Sequence, residues 1–126
     1  MINGEFNHGF TQQKWNKAKS EAKYLLSQRA KLRGQMTYTE LVQSLESIKL
    51  APHDPRLFHF LGEVSAEEDE AGRGLLTVIV VHKQGDMQPG SGFFELAESR
   101  GRDASDVLAC WINEAKKVWA YWEKHS

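Results

Sequence analysis

The chain of 126 residues holds one cysteine, Cys110, and three prolines. A single thiol excludes an internal disulfide and any zinc site built on paired cysteines. No apolar run approaches the roughly 18 residues that a membrane span requires. The N-terminal stretch MINGEFNHGF lacks a basic region followed by an apolar one, so no secretory signal is read there and a cytoplasmic protein with no membrane partner is expected. Charge of one sign is missing too: a net charge of −1 leaves nothing global to attract a polyanion. Internal repeats and low-complexity stretches are absent, which argues against a second domain joined by a linker.

What is present can build a core. Hydrophobic residues make up 40% of the chain, with four Trp, six Phe and three Tyr, enough for one domain over residues 1–126. The charge is unevenly placed. Residues 1–34 hold Lys14, Lys17, Lys19, Lys23, Arg29, Lys31 and Arg33 against only Glu5 and Glu21, while the remainder carries nine basic and fifteen acidic residues. A basic first helix on a mildly acidic body follows, and a solvated helix face is the simplest account of it.

Capping signals place the elements. After a flexible stretch over residues 1–10, Thr11 can cap a helix over 12–32, with Phe10 and Trp15 at the staple positions and Gly34 closing it. Thr37 and Glu40 form a capping box, Met36 can staple onto Leu41, and a very short strand fits just before the box. Leu41, Val42, Leu45 and Ile48 read as the buried stripe of that second helix. Asp54 followed by Pro55 opens a third helix carrying Leu57, Phe58, Leu61 and Val64, with Gly62 and the pair Ser65 and Glu68 suggesting a kink or restart. LLTVIVVHK, residues 75–83, is a β-branched run that predicts a buried strand. Phe93 to Ser99 reads equally as a returning strand or as a short helix capped by Ser91. Asp103 can cap a C-terminal helix over 103–124, with Val107, Leu108, Trp111, Ala115, Val118, Trp119 and Trp122 on one stripe.

Helix, short strand, helix, helix, strand, glycine-rich turn and a possible second strand is the order of a winged helix. The expected fold is therefore α+β, with a winged-helix-like core over 36–100 and an added amphipathic C-terminal helix.

Within that core TYTELVQSL, PRLFHFLGEV, VVHK and the glycine-rich turn before Phe93 occur in order. Together, across roughly residues 36–100, they resemble the C-terminal domain of the O6-alkylguanine-DNA alkyltransferases and alkyltransferase-like proteins. That family has a threonine-tyrosine-glycine-glutamate helix start, a proline-arginine pair opening its recognition helix and a proline-cysteine-histidine-arginine active-site motif. The resemblance implies that Tyr38 lies near a target phosphate, that Arg56 fills the space of a flipped base, and that His82 and Lys83 match the histidine-arginine pair. Val81 stands where the alkyl-accepting cysteine belongs. A valine methyl is no nucleophile, and Cys110 falls in the last helix, so alkyl transfer is excluded. The stretch between Arg56 and Val81 is longer than the family's and carries Glu67, Glu68, Asp69 and Glu70, which repel phosphate.

Few other residues carry chemistry. His53, His59 and His82 with Asp54 and Glu63 are of metal-ligating types, and His59 and Glu63 share a helix face at i, i+4; an ordinary helix surface produces the same spacing, and no metal or cofactor is expected. Gly90, Ser91 and Gly92 could offer free backbone N–H groups to a phosphate or carboxylate at a helix start. A hairpin turn using positive φ at those glycines is the more economical reading.

The function expected is a non-catalytic winged-helix protein that binds nucleic acid, in the first instance duplex DNA. Its contacts would come from Tyr38, Arg56, His59, His82, Lys83, Gly90, Ser91 and Gly92, with Lys14, Lys17, Lys23 and Lys31 adding phosphate contacts. The alternative is a protein-interaction module presenting the acidic segment 67–70 to a basic partner. A metal-dependent hydrolase using His59, Glu63 and His82 is a distant third.

Overall fold

The computed structural model describes residues 6–82 and 89–125. A hairpin of β1 (Phe6–Asn7) and β2 (Phe10–Thr11) opens it, where residues 6–10 were expected to be part of a flexible N-terminus; residues 1–5 of that stretch lie outside the described residues. Its turn uses His8 at φ 53° and Gly9 at φ 90°, the paired left-handed residues that match the twist of a two-residue hairpin. Helix α1 (Gln12–Lys31) follows at once. Thr11 Oγ1 accepts from the Lys14 N–H at 3.1 Å, and Phe10 stacks on Trp15 as the staple requires. The exit of α1 differs from the expected glycine stop: Arg33 takes the left-handed position at φ 54°, and Gly34 is the next residue, donating to the Arg29 carbonyl. Glycine is needed there for space, since a Cβ would lie 2.8 Å from the Arg29 side chain.

Strand β3 (Met36–Thr37) and helix α2 (Tyr38–Ser44) carry the capping box as read, with Thr37 Oγ1 accepting from the Glu40 N–H at 3.1 Å. Helix α2 ends before the expected stripe is complete. Leu45 and Ile48 are buried, but from the irregular segment that follows. Asp54 then caps α3 (Pro55–Glu70), which runs through Gly62 without a break. No second cap forms. Ser65 is committed to Thr77, whose N–H it accepts at 3.0 Å, and Glu68 to Arg73, so neither is free to start a new helix.

The run 75–83 is where the strand expectation fails. Leu75 through Val81 are all buried, yet the chain makes a 3-10 turn (Leu76–Ile79) and only then β4 (Val80–Val81). β4 pairs in parallel with β3, Met36 opposite Val80 and Thr37 opposite Val81. A parallel pair needs a long crossover, supplied here by α2 and α3, and a two-residue partner can hold only two residues of strand. A continuous apolar run reports burial on every side, and a buried turn satisfies that as well as a strand does.

Phe93 to Ser99 is helical, not a returning strand, within α4 (Ser91–Ser99), and its cap is Gly90, not Ser91. Where the winged-helix reading calls for a hairpin, the described residues hold a parallel pair and this helix. Helix α5 (Val107–Lys124) is capped by Asp106, while Asp103 instead accepts from Ser105 in the preceding turn. Val107 and Leu108 are consequently about half exposed, and the buried face of α5 starts at Cys110 and runs through Ala115 and Val118. The described residues are thus mainly helical with two small sheets, an α+β architecture in which α1, α3 and α5 enclose the 3-10 turn. Among the described residues no helix is long and apolar enough to cross a membrane.

A partly buried ionic lattice joins α3, the end of α4 and α5. Arg102 donates to Asp69 at 2.7 Å and to Glu114 at 2.9 Å, Arg100 donates to the same Asp69 at 2.8 Å, and Glu114 also accepts the Leu75 N–H at 2.9 Å. The Asp69 carboxyl is held down at about 2, first by its hydrogen bonds from Arg102, against the opposing effect of burial, and then by Arg100. A folded-state value below the ordinary 3.8 contributes stability that is present above about pH 4 and is lost as pH falls toward 2. Urea unfolding should therefore show a loss of about 2 kcal/mol between pH 5 and pH 2 that Asp69→Asn does not share. Parallel pH curves for the two proteins would contradict the assignment.

Candidate functional site

A pocket of about 450 Å³ opens between the start of α2, the first half of α3 and the start of α4. Five of the eight residues expected at a nucleic-acid site meet there: Tyr38, His82, Gly90, Ser91 and Gly92. They come from three separate segments, and the local folding of each explains its arrival. The capping box at Thr37 sets Tyr38 as the first residue of α2. The β3–β4 pairing carries the chain to His82 directly after Val81. Gly90 begins α4, so Ser91 and Gly92 form its first turn.

The contacts at the base of the pocket are close. The Tyr38 hydroxyl oxygen accepts the Gly90 N–H at 2.9 Å, and its ring lies tilted against His82 with centroids 5.1 Å apart. Burial pushes the Tyr38 hydroxyl above its ordinary value, partly offset by the Gly90 hydrogen bond. With its oxygen occupied as an acceptor, the hydroxyl keeps a proton to donate. Gly90 packs closely here: a Cβ would sit 3.3 Å from His82 Nε2 and 3.4 Å from the Tyr38 oxygen, so the imidazole would have to give by a few tenths of an ångström. Leu57, Leu61 and Phe93 supply apolar wall, and among the described residues no side chain caps the first-turn N–H groups of α4.

The glycines of this turn do not work as expected. Gly90 has φ −72°, and neither it nor Gly92 is among the residues with positive φ, so they make a helix start and not a hairpin turn. Gly92 makes room for a neighbour: a Cβ there would overlap the Phe58 ring, which would have to swing away. The Phe58 ring thus lies on the backbone of α4 and walls the pocket while half exposed, apart from Leu57, Leu61 and Val64, with which the sequence reading grouped it.

Arg56 and His59 do not join the site. Arg56 is turned back on its own cap, with Nη2 2.8 Å from Asp54 Oδ2, donates to the His8 carbonyl at 3.1 Å and covers the Phe10 ring. That contact holds the Asp54 carboxyl at about 2. His59 stacks on His8, centroids 4.9 Å apart, on the face of α3 toward the N-terminal hairpin. Lys83 lies outside the described residues. Of the lysines on α1, Lys14 and Lys17 are exposed, whereas Lys23 pairs with Glu67 at 2.6 Å.

The acidic segment is largely engaged within the protein. Glu67 binds Lys19 and Lys23, Glu68 is buried against Arg73, and Asp69 and Glu70 face Arg100. A run of four acidic residues in sequence is therefore not a free acidic face. The residues of the distant metal-hydrolase reading are engaged separately: Glu63 accepts from Trp15 and Lys19, His59 stacks on His8, and His82 sits against Tyr38. Among the described residues no three histidine, cysteine or carboxylate side chains come together as a metal-binding group. Cys110 is buried in α5 and lines neither the pocket nor its rim.

Most of the remaining lining was not read as a site from sequence, Phe58 and Glu95 among it. Phe58 was legible in principle, because Asp54 and Pro55 set the phase of α3 and place 57, 60, 61 and 64 inward, leaving 58 outside that arc. Glu95 had no signal until the Phe93–Ser99 segment was known to be helical. No family model, curated protein or solved structure matches this chain.

Proposed function

We propose that the protein is a non-catalytic nucleic-acid-binding module that receives one unstacked base in the pocket beside Tyr38 and His82. The observation that carries this reading is the convergence of Tyr38, His82 and Gly90 to Gly92 on one pocket with an aromatic wall. A base placed against Phe58 would gain about 1–3 kcal/mol from stacking, whatever its sequence, and Tyr38 would donate to a ring or carbonyl acceptor. The open N–H groups of Ser91 and Gly92 suit an adjacent phosphate. We read the scaffold as winged-helix-like, with α4 in the position of the second wing strand.

Charge distinguishes this from a helix lying in a duplex groove. Glu63 and Glu67 of α3 pair with lysines of α1, and Arg56 is paired with Asp54, so α3 is a poor groove reader. A protein making six to ten phosphate contacts loses about 10³–10⁵ in affinity between 50 and 200 mM salt; one or two contacts should cost only about tenfold or less. The test is fluorescence anisotropy with two labelled duplexes of one sequence, fully paired and with a single extrahelical base. The expected result is at least about tenfold tighter binding of the second, a shallow salt slope, and weaker binding by Tyr38→Phe. Equal binding of both duplexes, or none at low salt, would refute the reading.

A further inference from the structure

The pocket continues into a second cleft of about 420 Å³ along the α3–α4 groove, and Phe58, Gly62 and Leu96 line both. Each cleft has the size of a small-molecule site, about 300–1,000 Å³, so one unstacked base in the first leaves a compartment of similar volume unused beside it. Ala66 and Ser99 extend the lining of the second cleft, and His59, which takes no part in the first, enters it with its ring 5.5 Å from that of Phe58.

Gly62 marks the junction. A glycine inside a helix is less stable than alanine there, and a close neighbour or a positive φ ordinarily accounts for it. Gly62 has neither: its φ is not positive, and among the described residues nothing lies within 4 Å of the place its Cβ would take. The missing side chain leaves the floor open where the two clefts meet.

We propose that the two clefts form one groove across Gly62 and that the second takes the base of the next unpaired nucleotide, so that the ligand is a single-stranded segment of at least two nucleotides. The inference rests on the reading of the first pocket as a nucleobase site. Phe58, Ala66 and Leu96 give a flat ring apolar surface, and His59 and Ser99 give its edge hydrogen-bonding groups. The phosphates stay outside. Glu63 and Glu95 line the second cleft, and their carboxylates repel an anion. The sugar-phosphate backbone therefore follows the mouth of the groove, and the second base adds stacking without adding a phosphate contact.

The test compares labelled duplexes with a two-nucleotide bulge: one carries two adenines, and in the others one or the other adenine is replaced by an abasic residue, so that backbone and charge are the same. The wild type should bind the adenine pair at least about fivefold more tightly, the low end of what stacking one base contributes, with the same salt slope for all. Ala66 lines the second cleft and not the first, so Ala66→Leu should abolish that advantage while binding the abasic duplexes as the wild type does. Ala66 is only partly buried, and the variant should keep the wild-type urea midpoint, which is checked first. Gly62→Ala should raise the midpoint and reduce the advantage, a gain in stability joined to a loss of binding. Equal wild-type binding of all the bulged duplexes, a steeper salt slope for the adenine pair, or an undiminished advantage in Ala66→Leu would overturn the inference while leaving the single-base pocket standing. Failure of the wild type to bind any bulged duplex would overturn both.

Discussion

Replacing Glu114 with alanine is expected to cost about 3–5 kcal/mol of stability, the loss seen when one partner of a buried ionic group is removed. Glu114 is only 4% exposed and does two things at once. It accepts from Arg102 through both oxygens, at 2.9 and 3.0 Å, and it accepts the buried N–H of Leu75, where the chain enters the 3-10 turn. Alanine would leave that N–H without a partner, a penalty of about 1–3 kcal/mol by itself, and would leave Arg102 with Asp69 and the Arg100 carbonyl. Domains of this kind have roughly 5–15 kcal/mol in hand, so Glu114→Ala removes a large part of the total. Glu114→Gln keeps an acceptor for Leu75 and should fall between the two. Urea unfolding at pH 7 measures all three, and a loss below about 1 kcal/mol for Glu114→Ala would show that the lattice is dispensable.

The largest expected effect on binding comes from Gly92→Ala. The added methyl would overlap the Phe58 ring, which must swing away, and because that ring is half exposed the fold can absorb the change. Stability should shift by less than about 1 kcal/mol, since alanine is the better helix former and offsets part of the strain. Affinity for a duplex with an extrahelical base should fall more than about tenfold, as the stacking wall is displaced. Phe58→Ala removes the same wall directly. The double variant should then bind no worse than Phe58→Ala alone, the non-additivity expected of two residues in contact. Wild-type affinity in Gly92→Ala would mean that Phe58 is not part of the binding surface.

Local chemistry made much of this fold legible. Thr11, the Thr37 and Glu40 box, and Asp54 with Pro55 each mark a helix start that the structure keeps, because a cap is decided by residues within one turn. What escaped was decided at a distance. The 75–83 run became a turn because its strand partner is two residues long, and Ser65 failed to cap a helix because Thr77 claims it. Val107 and Leu108 fit the helical period of α5 but fall outside its packed face.

The same division runs through the site. Tyr38, His82 and the Gly90–Gly92 turn were all identified from the chain, and they do meet. Arg56 was drawn off by Asp54 two residues before it and by the carbonyl of His8 in a hairpin that the sequence reading left unstructured. The acidic segment looked free only because its partners, Lys19, Lys23, Arg73, Arg100 and Arg102, are scattered along the chain.

The most direct measurement is an NMR titration of the ¹⁵N-labelled protein with a duplex carrying one extrahelical cytosine, followed at the backbone amides. The account predicts that the largest shifts fall on Tyr38, His82, Gly90, Ser91 and Gly92, with Arg56 and the α1 lysines little changed. Shifts centred on Lys14, Lys17 and Arg56, with Gly90 and Gly92 unmoved, would contradict it.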